Sequence, residues 1–130
     1  MNILVTQKHL TNSLIGKEEY VQLMSELCYR MPYGVKVQNI EGCVEELSPM
    51  GLQRAMSTSV AVTKPYLFPI TEEQRKELTD VLIDMNIKAL SGEIRTSDIS
   101  AYEVDYYHIN HIDYRGSIEK GLALDATGLF

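Results

Sequence analysis

The chain has 130 residues, 45% hydrophobic and 23% charged, which fits one domain (1–130) with a single core and argues against disorder. Its formal net charge is −6, and the segment from Thr71 to Asp113, with ten acids against four bases, accounts for all of it. A long nucleic acid would meet a repulsive field there, so DNA or RNA binding is disfavoured. No apolar run approaches the ~20 residues of a membrane span. Met1-Asn2-Ile3-Leu4-Val5 passes at once into Thr6-Gln7-Lys8, so neither a signal peptide nor a membrane is expected and the setting is read as cytoplasmic.

The elements predicted in chain order are these. Asn2 to Gln7 is a candidate strand. Lys17 to Met31 reads as a helix, with Tyr20, Val21, Met24, Leu27, Cys28 and Met31 on its apolar face and Glu18, Glu19 and Arg30 complementing its dipole. Pro32 stops it. Val35 to Ile40 and Cys43 to Leu47 form a hairpin about Glu41-Gly42. Pro49-Met50-Gly51 is a turn, and Ser59 to Thr63 alternates as a half-buried strand does. Pro65-Tyr66-Leu67-Phe68-Pro69 is a connector. Thr71-Glu72-Glu73-Gln74 is a capping box opening a helix with Leu78, Val81, Leu82, Met85 and Ala89 as its stripe, closed near Gly92. Asp98 caps a further helix carrying Ile99, Tyr102, Tyr106 and Ile109. Asp113 caps a final turn from Tyr114 to Lys120, closed by Gly121. The fold class is α+β: a small antiparallel, partly barrel-like sheet over Val35–Thr63, one N-terminal helix and two to three C-terminal helices.

Catalytic motifs are missing. There is no phosphate loop, no Gly-x-Gly-x-x-Gly and no nucleophile elbow. Cys28 and Cys43 read as reduced, core-packed thiols. His108 and His111, three apart, can begin a metal site with Asp113, Asp105 or Glu103, although nothing fixes a third ligand. Arg30 and Arg115 are more informative, because each has tyrosine neighbours: Tyr29 and Tyr33 for the first, Tyr114 for the second. A guanidinium fork with a ring face holds a phosphate and stacks a base. Equally, Arg30 can cap its helix and Arg115 can pair with Asp113. Tyr66 and Phe68 are either a pocket wall or a strap across the core.

Three segments carry a resemblance: Leu27-Cys28-Tyr29-Arg30-Met31-Pro32-Tyr33-Gly34-Val35-Lys36-Val37, Thr63-Lys64-Pro65-Tyr66-Leu67-Phe68-Pro69, and His111-Ile112-Asp113-Tyr114-Arg115-Gly116-Ser117-Ile118-Glu119-Lys120-Gly121-Leu122-Ala123. They resemble small proteins of gut Bacteroidota, their phages and mobile elements. Residues from Ser48 to Ser59 take no part in the match. By type the chain is similar to phage anti-defence proteins, anti-Thoeris and anti-CBASS, which sequester cyclic ADP-ribose isomers or cyclic oligonucleotides without catalysis.

That similarity implies a cytoplasmic homo-oligomer binding a small nucleotide-derived signal, with no cofactor and no enzymatic activity. In the site so expected, Arg30 and Arg115 clamp phosphate. Tyr33, Tyr66, Phe68 or Tyr114 stacks the base, and Asn110 or His108 reads the base or the ribose hydroxyls. Two rivals remain: an acidic module docking on a basic host enzyme, and a metal-dependent phosphodiesterase using His108 and His111.

Overall fold

The computed structural model describes residues 16–39, 41–57 and 63–130. In chain order these form helix α1 (Lys17–Arg30), a 3-10 turn (Met31–Tyr33), strands β1 (Lys36–Gln38) and β2 (Val44–Glu46), helix α2 (Pro49–Ser57), strand β3 (Lys64–Leu67), helices α3 (Glu72–Leu90) and α4 (Thr96–Ile109), and strand β4 (Leu124–Asp125). The class is α+β, as expected. The sheet runs β2-β1-β3-β4, antiparallel except for the parallel β3–β4 pair. It is therefore mixed, and it stays open instead of curling into a barrel. The strands expected at residues 2–7 and 59–62 lie outside the described residues.

The expected hairpin forms, with Val37 opposite Glu45. Asn39 shapes its turn: its side-chain oxygen accepts from the backbone N–H of Glu41 at 2.9 Å and of Cys43 at 3.0 Å, and Gly42 takes the left-handed φ of 83° that the reversal requires.

Two prolines were read as punctuation and belong to regular elements instead. Pro49 opens α2, where a missing N–H is harmless; Ser48 Oγ caps that helix by accepting from Gly51 N at 3.0 Å. Pro65 is the second residue of β3 and is opposite Val37 of β1, while pairing with β4 starts only at Tyr66. The proline thus sits where one flank of its strand is still unpaired. The connector is a central strand, with Pro65, Tyr66 and Leu67 all buried.

The capping box at α3 is present: Thr71 Oγ1 accepts from Gln74 N at 3.1 Å, and Gln74 Oε1 accepts from Thr71 N at 3.0 Å. Arg95, not Asp98, is the N-cap of α4; Asp98 lies one turn in and its carboxylate accepts from Arg95 N at 3.0 Å. Both helices end in the same paired-bond motif. At α3, Gly92 N reaches Ala89 O and Glu93 N reaches Lys88 O. At α4, His111 N reaches His108 O and Ile112 N reaches Tyr107 O. The left-handed residue is Gly92 in the first and His111 (φ 53°) in the second. A histidine there is strained, and tertiary contacts hold it: His111 O accepts from Phe68 N at 2.8 Å, and its Nε2 bonds Tyr33 O at 3.0 Å.

The core joins Leu23 and Leu27 of α1 to Val35, Val37, Leu47, Ala55, Leu67, Leu122 and Ala123. The buried residues of α1 are Leu23, Glu26, Leu27 and Arg30. The helix is thus rolled by roughly one residue step, about 100°, from the orientation its apolar periodicity predicts. Val21 and Cys28 face outward as a result. Both cysteines are free and exposed, which corrects the expectation of core-packed thiols.

Candidate anion-binding site

The roll of α1 has a polar cause. Gln22, Glu26 and Arg30 recur every fourth residue and line one side of the helix. All three fasten the loop after α4. Gln22 Nε2 donates to Ser117 Oγ at 2.8 Å, and Ser117 Oγ donates to Glu26 at 2.6 Å. Glu26 also pairs with Arg30, and Arg30 donates to Ile112 O. Glu26 and Arg30 are both fully buried. Asp113 shapes the loop as expected of a cap, accepting from Ser117 N at 2.8 Å and Ile118 N at 3.0 Å. Gly121, in a left-handed conformation (φ 77°), closes the turn.

Arg30 was expected to clamp phosphate, and the structure corrects this. Its charge is matched by Glu26, its second nitrogen is held by a carbonyl, and no part of it reaches solvent. The signal was present in the sequence as an i, i+4 Glu26–Arg30 spacing, here buried because each charge neutralises the other. Arg115 differs. It makes no ion pair among the described residues, with Asp113 or any other acid, and its guanidinium lies 5.2 Å from the ring centroid of Tyr114. Arg30 lies 5.6 Å from the same ring. The two arginines do converge, but around a tyrosine, and of the two only Arg115 is partly exposed.

Tyr114 belongs to a continuous aromatic ribbon. It stacks on Tyr107 at 4.7 Å, and its hydroxyl bonds His108 Nε2 at 2.8 Å. His108 in turn stacks on Tyr29 at 5.1 Å. Tyr107 donates to Glu103 at 2.7 Å; burial first, then that carboxylate, push its phenol up to about 12. Tyr29 is half-open and lines a cleft of about 310 Å³ with Tyr20, Val21, Met24, Ser25 and Cys28. Gln22 Nε2 contacts Arg115 O at 3.4 Å. Gln22, Ser25 and Tyr29 share one side of α1, so the Arg115 backbone lies next to the helix side that carries Tyr29, while the cleft itself is lined by α1 residues alone. Tyr29, the sequence neighbour of Arg30, is an exposed platform on α1.

The other expected site residues scatter. Tyr66 is buried against Phe130, edge to face at 5.3 Å. Phe68 is half-buried and its backbone pairs with the loop after α4. Asn110 caps α4, donating to Tyr106 O at 2.9 Å. Tyr33 is exposed, and its carbonyl is taken by His111. The imidazoles of His108 and His111 have separate partners, Tyr114 and the Tyr33 carbonyl. Among the described residues no three His, Cys, Asp or Glu side chains are grouped to hold a metal ion.

Burial holds both histidines below the ordinary imidazole value of 6.5, and Arg30 adds to the effect at each; Glu26 opposes at His108 and the Tyr33 hydrogen bond opposes at His111. A carbonyl only accepts, so His111 carries its proton on Nε2, and its Nδ1 is buried without a partner among the described residues. A base with a depressed folded pKa stabilises the fold above its unfolded pKa and loses that contribution as pH falls. Unfolding free energy is expected to drop as pH falls from 6.5 toward about 5. Urea titrations across that interval check it, and the double variant His108→Gln/His111→Gln is expected to show a shallower slope.

Compared with known proteins, the chain matches no family model, no curated protein and no solved structure. Among the described residues no helix is long and apolar enough to cross a membrane.

Proposed function

We propose that this chain sequesters a small nucleotide-derived anion, a cyclic ADP-ribose isomer or a cyclic oligonucleotide, without chemically altering it. One observation carries the reading: Arg115, with no ion pair among the described residues, lies against Tyr114 at the edge of the aromatic ribbon. The site differs from the sequence expectation. Arg115 supplies the phosphate contact, Tyr29 the stacking face, and Arg30 serves as the buried strut that holds Tyr114 and its loop in place. A cleft of about 310 Å³ is at the small end for a ligand pocket, so a second protomer of a homo-oligomer completes its walls. Binding of this kind needs a preorganised surface and no reacting group. The role corresponds to that of the phage anti-defence proteins the chain is similar to by type, acting in the cytoplasm of the host cell.

The test is a melting series against a panel of cyclic nucleotides and cyclic ADP-ribose isomers. A ligand at a hundred times its Kd adds about 2.7 kcal/mol, a shift of roughly 10 °C for a chain of this size. Ligand released by heat is expected to be intact, and Arg115→Ala is expected to abolish the shift while leaving the melt of the free protein nearly unchanged. Ligand recovered in hydrolysed form would assign an enzyme instead. No shift with any member of the panel would remove the nucleotide reading.

A further inference from the structure

Helix α3 carries two apolar rows. The inner row packs on α4: Leu78 is buried, and Val81, Leu82, Met85 and Ala89 are half-buried. The outer row is Ile83, Ile87 and Leu90, exposed by 55%, 61% and 90%. Steps of four and three residues align these three along one side of the helix, away from α4. About a quarter-turn round the helix, a second line with the same spacing, Glu73, Glu77, Asp80 and Asp84, all exposed, leads up to this row from its N-terminal side and reaches it at Asp80 and Asp84. Only Asp84 of these four is in an ion pair among the described residues, with Lys88 one turn along at 3.3 Å. The other bases of the helix are Arg75, paired with Glu72 at 3.7 Å, and Lys76, near the N-terminal end of the outer row.

We infer that the outer face of α3 is a docking surface for a basic amphipathic helix of a protein partner. An aliphatic row with anchors at i, i+4 and i+7 matches the apolar stripe of an incoming helix. The adjacent acidic line selects lysine or arginine along one flank of that helix. The same charges oppose the other occupants. A second copy would bring the same net charge of −6 to the contact. An anionic membrane surface would likewise be repelled.

A fluorescent helical peptide of about 18 residues, with a leucine row and lysines along one flank, is the probe. Its partner has glutamate in place of each lysine. By anisotropy at low salt, the lysine peptide is expected to bind roughly tenfold or more tightly than the glutamate peptide. Ile83→Glu/Ile87→Glu, at exposed positions with no role in the core, is expected to abolish binding while leaving the melting temperature unchanged. Asp80→Lys/Asp84→Lys is expected to reverse the preference between the two peptides. Failure of the lysine peptide to bind, or binding indifferent to the isoleucine variants, would overturn the inference. So would sedimentation showing a dimer that Ile87→Glu dissociates, or recruitment of the protein to phosphatidylglycerol vesicles. The anion site plays no part in this test, so either proposal can fail alone.

Discussion

Arg30→Met is expected to cost about 3–5 kcal/mol, a large share of the total for a domain that is stable by roughly 5–15 kcal/mol. The substitution leaves the Glu26 carboxylate buried, fully screened from water, with only the Ser117 hydroxyl to hold it. An uncompensated buried charge is among the most destabilising features a fold can contain. Replacing both partners, Glu26→Leu with Arg30→Met, removes the charge problem and is expected to recover most of that loss. Recovery is not expected to be complete, because Ile112 O and the Ser117 hydroxyl each lose a partner, at about 1–3 kcal/mol for a group left unsatisfied. Urea unfolding of the parent, the single variant and the pair measures all three. A loss below about 1 kcal/mol for Arg30→Met would mean that this guanidinium is solvated, and it would return Arg30 to the list of ligand contacts.

The second large effect concerns the orientation of α1. Leu27→Ala is expected to destabilise by about 2–5 kcal/mol, since Leu27 is fully buried in the core and its removal leaves a cavity beneath the sheet. Val21→Ala, on the same helix, is expected to change stability by less than about 0.5 kcal/mol, because Val21 is 57% exposed. The periodicity of the sequence places both residues on one apolar face and predicts comparable losses. Denaturation midpoints at constant slope decide between the two orientations. Equal losses at the two positions would refute the rolled helix, and with it the open cleft beside Tyr29.

These two results bear on function because the buried strut and the rolled helix together create the candidate site. Glu26 and Arg30 draw the loop from Ile112 to Ser117 onto α1. That contact brings Tyr114 against His108, which stacks on Tyr29, and sets the Arg115 guanidinium against Tyr114. Had α1 buried Val21 and Cys28, as its apolar periodicity predicts, there would be no open cleft beside Tyr29. The two further proposals use opposite charge logic on different parts of the chain. An unpaired cation among rings suits a small anion, and an acidic helix edge suits a basic protein segment.

Local chemistry made several elements legible in the amino-acid sequence alone. The hairpin about Gly42, the Thr71 capping box, the Gly92 helix end and the Asp113 cap all depend on residues within five positions of one another, and the elements they delimit indicate the α+β class. Backbone hydrogen bonds and side-chain caps at that range are nearly independent of the rest of the fold. Arg115 and Tyr114 were also legible as candidate contacts, because a guanidinium next to a ring is a local feature. Tertiary structure alone decided the rest. Pro65 lies in a central strand because its unpaired flank precedes the β4 ladder, a fact set some sixty residues downstream. His111 adopts a left-handed conformation because Tyr33 and Phe68 hold it there. Arg30 became a core residue because burial of an ion pair depends on a loop more than eighty residues away, and no periodicity within one helix records which of its faces that loop will cover.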